Sequence, residues 1–179
     1  MCLIIPKQHS ITCACESCKI IIFLKNDKIM LNSNETDAFS ADLTSGVAAF
    51  DSKNFSMAYQ LLAPLAAQGS AESLWRLGMM QMNGLGMVEN QPLGFENFMK
   101  AAEQEHAFAH HMIAVAYMTG EGVEKDIIKA IEWFEKAAEY GLQGAMYALG
   151  MLYEDGKEVE KNLEKTQYWY DLAAKADDS

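Results

Sequence analysis

The chain is 179 residues long and half apolar, which suits one domain with a sizeable core. Its formal net charge is −11, with 14 basic residues scattered among 25 acidic ones. No basic patch offsets repulsion from a phosphate backbone, which argues against a nucleic-acid partner, and the longest apolar run near the start, Ile20–Leu24, falls far short of the ~20 residues a membrane span requires.

Residues 1–40 read as an N-terminal extension, disordered or poorly packed. All four cysteines lie there (Cys2, Cys13, Cys15 and Cys18), as do seven isoleucines before Met30. After Met30 the composition turns to Ala, Leu, Met, Glu and Gly, and no cysteine occurs. Two readings of the extension stay open. Cys13, Cys15 and Cys18, with Cys2 or His9, offer four soft ligands for a metal or an iron–sulfur cluster. Alternatively residues 1–29 are an unstructured tail, or translation begins at Met30. No secretory leader is evident, and disulfides cannot staple a cysteine-free domain, so a cytoplasmic location is expected.

Residues 41–72 read as a helix pair that is only half typical of the later units. Its "GVAAFDSKNFSMAYQLLA" suggests a helix, a short turn and a second helix, and "PLAAQG" lies 72 residues before "KAAEYG". From residue 73 a 36-residue period is explicit, with units at 73–108, 109–144 and 145–176 and an acidic tail at 177–179. Gly84, Gly120 and Gly156 align, as do Asn90, Asp126 and Asn162. Phe98, Phe134 and Tyr170 align as well, and so do Ala101, Ala137 and Ala173.

Each unit reads as two helices. Ile113, Ala116 and Tyr117 have the i, i+3, i+4 spacing of one apolar face. Gly120 ends that helix, because glycine accepts the left-handed conformation. Asp126 opens the next as an N-cap. Ile127, Ala130, Ile131, Phe134 and Ala138 then share one side. Gly78, Ala114 and Gly150 fall inside first helices, where glycine costs roughly 1 kcal/mol against alanine, so a neighbouring helix is expected to approach closely there.

These columns resemble the Sel-one-like repeat, a relative of the tetratricopeptide repeat. The unit Ala109–Gly141 carries the resemblance through Tyr117, Gly120, Gly122, Val123, Asp126, Lys129, Ala130, Trp133, Lys136, Ala137 and Ala138. The first unit departs at Gln81, Gly94 and Glu105, the last at Glu158 and Thr166. The resemblance implies an all-α fold, a right-handed α-solenoid of helix pairs. It also implies a non-enzymatic adaptor that binds a protein or peptide in a concave groove, without a cofactor. By analogy the groove is lined by first helices. The matching positions are Glu72, Trp75, Met79 and Met82; then Phe108, His111, Val115 and Met118; then Gly144, Tyr147, Met151 and Glu154. Met-rich, aromatic surfaces suit apolar partner segments. The same residues would alternatively pack against the neighbouring second helix.

Two further readings remain. His106 and His110, at i, i+4, offer a metal pair, although no HExxH motif is present. The last helix carries Tyr168, Trp169 and Tyr170 with no further unit after it, so a homodimer through that helix is the structural alternative. Glu121, Glu124, Glu132, Glu135 and Glu139 read as solvated faces. No nucleophile elbow or Walker loop supports an enzyme.

Overall fold

A computed structural model describes the backbone of residues 4–7, 10–13, 21–25, 28–30 and 33–177, and the side chains of 39–176. The described residues fall into two compact units, divided between Ser45 and Gly46.

The first unit contains four short strands: β1 (Ile4–Lys7), β2 (Ser10–Cys13), β3 (Ile21–Lys25) and β4 (Lys28–Met30). They pair antiparallel in the order β1-β2-β3-β4, with Ile4 opposite Cys13, Ser10 opposite Phe23 and Lys25 opposite Lys28. These strands lie within residues 1–40, the segment expected to be disordered or poorly packed. Their isoleucine-rich composition suits them, since β-branched residues favour extended backbone. Helix α1 (Ser33–Asp51) starts upstream of residue 41. The cysteine side chains lie outside the described residues.

The second unit is an all-α helical repeat solenoid. After α1 come α2 (Phe55–Ala67), α3 (Ala71–Asn83), α4 (Gln91–Ala102), α5 (Ala107–Thr119), α6 (Ile127–Glu139), α7 (Gln143–Asp155) and α8 (Leu163–Asp177). Helices α3/α4, α5/α6 and α7/α8 form the three repeating pairs, and each pair packs against its sequence neighbours.

Local chemistry sets the period. Gly84, Gly120 and Gly156 are left-handed C-caps of α3, α5 and α7. Asn90, Asp126 and Asn162 then accept the Leu93, Lys129 and Lys165 N–H groups, at 3.2, 3.1 and 2.9 Å. The backbone N–H of each cap residue closes the turn onto the carbonyl of Gln81, Tyr117 or Tyr153. Asn54 plays the same cap role one period earlier, accepting from Met57. Gly122 has a second reason to be glycine. Its φ is +75°, and a Cβ there would lie 2.5 Å from the Gln91 carbonyl oxygen of the preceding pair.

The core runs between the helices of each pair. Phe98 sits over Gly78, where an added Cβ would come within 2.5 Å of its ring. Tyr170 sits over Gly150 in the same way. Between them Phe134 and Ala114 are both fully buried in one cluster. One aromatic per second helix therefore fills the slot left by one small residue per first helix, the close approach expected from the sequence.

The departures from the pattern are each accommodated. Lys129 lies over Tyr117 at 5.3 Å and Lys165 over Tyr153 at 4.5 Å. In the first unit Leu93 and Gln81 occupy those columns, and Gln81 instead accepts from Asn97 Nδ2 at 2.6 Å. Thr166 is buried, and its hydroxyl donates to the Asn162 carbonyl at 2.9 Å. Gly69, Glu105 and Gly141 each end a second helix with positive φ, Glu105 at +61° despite its side chain.

Candidate partner-binding face

Helices α3, α5 and α7 open the three units, and their side chains meet across unit boundaries. The Trp75 indole of α3 stacks on the Phe108 ring of α5 at 5.3 Å and on the His106 ring at 5.4 Å. The Arg76 guanidinium caps this stack, 5.0 Å from the indole and 4.9 Å from Phe50. Trp75 Nε1 is buried with no hydrogen-bond partner among the described residues.

A polar chain links Arg76 and His106 of this cluster through Glu72. Arg76 bonds Asp51 at 2.9 Å and Glu72 at 2.7 Å. His106 Nε2 lies 2.9 Å from the other Glu72 oxygen. His106 is the N-cap of α5, its Nδ1 accepting the Ala109 N–H at 3.3 Å. That bond puts the ring proton on Nε2, where it is donated to Glu72. The His106 hydrogen bond, aided by Arg76 and opposed by partial burial, holds the Glu72 carboxyl below its usual range.

The two histidine rings are therefore turned to other partners and are not arranged as a ligand pair. His106 uses both ring nitrogens. His110 is buried, its Nδ1 3.0 Å from the His106 carbonyl and its ring against Trp133 and Tyr140. Among the described residues no group of three or more His, Cys, Asp or Glu is placed to hold a metal ion.

The rest of the expected groove set divides. Phe108, Tyr147 and Met151 are exposed large apolar side chains. Trp75, Met79, Val115 and Met118 are half-buried, the last two packed on the Ala114–Phe134 cluster. His111 is half-buried against Phe134 at 5.3 Å, and desolvation lowers its pKa. Gly144 is exposed. Met82 is a correction, because it belongs to the core rather than the face, at 6% exposure. Gly94 stands where later units have Ala130 and Thr166, and it lets α4 approach the end of α3. A Cβ on Gly94 would lie 3.0 Å from the Met82 nitrogen.

Beyond the stack, Met118, Ala148, Met151 and Leu152 floor an open hollow of about 600 Å³. Its rim carries Glu154, Asp155, Glu158 and Lys161. Glu154 accepts the Tyr170 hydroxyl proton at 2.7 Å, and this bond raises the Tyr170 pKa. Glu158 meets Lys125 of the preceding turn at 2.7 Å. The sequence marked Glu158 as a departure from the repeat but gave it no place at the site. Arg76, Ala148, Leu152, Asp155 and Lys161 also went unselected. Arg76 had a readable signal, its i, i+4 spacing from Glu72.

The arrangement presents exposed apolar and aromatic side chains on α5 and α7. No helix among the described residues is long and apolar enough to cross a membrane.

Comparison with known proteins agrees with this architecture. The Sel1 repeat pattern matches at residues 71–106, 107–141 and 144–178. A Sel1 repeat protein from Oxalobacter formigenes is 28% identical, with TM-score 0.68, over 75% of this chain and 54% of its own. The protein c5321, a protective antigen of uropathogenic Escherichia coli with an SLR fold, is 26% identical, with TM-score 0.70, over 79% of this chain and 32% of its own. This chain thus spans about half and a third of those two proteins. Helicobacter pylori cysteine rich protein B shares the fold at 22% identity and TM-score 0.52, over 69% of this chain and 88% of its own. No curated protein gives a significant match. With three copies of the repeat across more than half its length, the chain belongs to the Sel1 repeat family.

Proposed function

We propose that the protein is a non-enzymatic scaffold that binds a protein or peptide segment on the face built by α3, α5 and α7. The observation that carries this reading is the exposure of Phe108 on α5 and of Tyr147 and Met151 on α7. These three large apolar side chains are 50%, 43% and 57% exposed on two successive first helices. Large exposed apolar groups clustered on one face mark interaction sites more often than scattered ones do. Membership of a repeat family with interaction surfaces of this kind supports it. Capture of native partners by the wild type, compared with a Phe108→Ala, Tyr147→Ala, Met151→Ala variant, tests it. Loss of capture with an unchanged helical spectrum is expected, and undiminished capture would remove the face from consideration.

A second reading is a homodimer through α8, favoured by Leu163 and Tyr168, which are exposed at 66% and 59%. Light scattering over a concentration series distinguishes it, because a monomer at the highest concentration rules it out.

A further inference from the structure

We propose that a hollow between α2 and α4 is a second binding site, separate from the α5 and α7 face, and that it takes a tyrosine side chain of a partner protein segment. The hollow is open and has a volume of about 570 Å³. Ala63 and Ala66 of α2, Leu77 and Gln81 of α3, and Leu93 and Asn97 of α4 are among its lining residues.

The repeat itself shows what fills this slot. Leu74, Gln81, Asn97 and Gln104 all border the hollow. One period later the same columns hold His110, Tyr117, Trp133 and Tyr140. Three of those rings meet. His110 lies 5.4 Å from Trp133 and 5.1 Å from Tyr140, and Lys136 covers Trp133 at 4.1 Å. In the first unit none of the four columns carries a ring, and Lys100, in the column of Lys136, pairs with Glu96 at 2.7 Å. The smaller side chains leave the space of a ring between α2 and α4.

The polar groups in the slot select the kind of ring. Asn97 is only 8% exposed, and its Nδ2 donates to Gln81 Oε1 at 2.6 Å. That bond leaves the Asn97 Oδ1 acceptor and the Gln81 Nε2 donor without a partner among the described residues. A phenol hydroxyl donates and accepts through one oxygen, so tyrosine satisfies both groups. An indole satisfies only the acceptor, and phenylalanine satisfies neither. Covering these amides without pairing them costs free energy, which penalises a purely apolar ligand.

A protein segment is the source that fits. An open hollow covers one side chain and leaves the main chain outside, whereas a free small molecule needs a site that encloses most of its surface. Residues 1–38 and 177–179 contain no tyrosine or tryptophan, so neither end of the chain supplies the ring.

The test uses short capped peptides of glycine and serine with one central tyrosine, phenylalanine or leucine. Each is titrated into the ¹⁵N-labelled full chain, and the side-chain amide signals of Asn97 and Gln81 are followed. The tyrosine peptide is expected to shift both signals. It should bind about threefold more tightly than the phenylalanine peptide and about tenfold more tightly than the leucine peptide. Asn97→Trp installs the ring of the next unit and should weaken the tyrosine peptide about tenfold or more. Gln104→Tyr, at an exposed position, should weaken it in the same direction and serves if Asn97→Trp does not fold. Equal binding of the phenylalanine peptide overturns the role of the amide pair. Unmoved Asn97 and Gln81 signals, or undiminished binding by the folded variants, overturn the site. Tighter binding of free tyrosine overturns the protein segment as the source. Shifts that grow with protein concentration alone assign the slot to a second copy and overturn a foreign partner. Failure here leaves the α5 and α7 face standing, because the peptide signals report on this hollow alone.

Discussion

The Trp75 and Phe108 rings lie stacked, 5.3 Å apart at an interplanar angle of 29°, and tie the first helix of one repeat to the first helix of the next. Trp75 is thus both a face residue and a structural one. Trp75→Ala removes its stacking on Phe108 and His106 and the seat of Arg76. A loss of about 2–3 kcal/mol is expected, below the ~3–5 kcal/mol of a fully buried tryptophan. Urea denaturation checks this. Any binding defect of Trp75→Ala therefore mixes two effects, whereas the exposed Met151→Ala should leave the unfolding midpoint unchanged.

The small residues under the aromatic slots should be intolerant of enlargement. Gly78→Ala places a methyl group against Phe98, and Gly150→Ala places one against Tyr170. Each should destabilise by about 1–3 kcal/mol, because the ring has no free space to enter. Gly144→Ala is the control. Its nearest neighbour is His111 Cε1 at 3.9 Å, so alanine there should stabilise α7 by about 0.5–1 kcal/mol. Thermal melts should place Gly144→Ala above the wild type and the other two variants below it.

Glu105 offers a change in the opposite direction. It occupies the left-handed region at φ +61°, in the column where Gly69 and Gly141 stand at +90° and +81°. Glu105→Gly removes the Cβ penalty of that conformation, and a gain of about 1 kcal/mol is expected in chemical denaturation. An unchanged or lower midpoint would show that the turn holds Glu105 without strain.

Glu72 should give a pH signature. Its folded pKa is depressed, first by the His106 hydrogen bond, so its contribution to stability is fully present above its unfolded value of about 4.3 and is lost as pH falls through the folded value. Asp51 reaches the group through Arg76. Glu72→Gln should therefore be less stable than wild type at neutral pH, and the gap should close at acidic pH. A gap constant from pH 7 to 3 would place the effect outside the carboxylate.

The helix pairs were legible in the sequence because their signals are local. A cap such as Asp126, a C-terminal glycine such as Gly120, and a recurrent small residue such as Gly78 act through neighbours within a few residues or one period. The face was legible only in part. Phe108, Tyr147 and Met151 were picked by analogy with the tetratricopeptide repeat, and all three are exposed. The burial of Met82 depends on how far Gly94 lets α4 approach, which register does not contain. The Glu72–His106 bond joins residues 34 apart in sequence, so the i, i+4 spacing of His106 and His110 suggested a ligand pair where the structure has a cap and a core residue. The strands before residue 31 were illegible for another reason. Isoleucine favours extended backbone, but residues 1–30 lack the regular alternation that would mark strand ends.

The scaffold reading is tested most directly by where a partner touches the repeat. Hydrogen–deuterium exchange of the full chain, with and without a partner recovered from the native cell, resolves this helix by helix. Slowed exchange in α5 and α7, around Phe108, Tyr147 and Met151, is the expected result. Protection confined to α4, α6 or α8, with α5 and α7 unchanged, would contradict the assignment of the first-helix face as the binding surface.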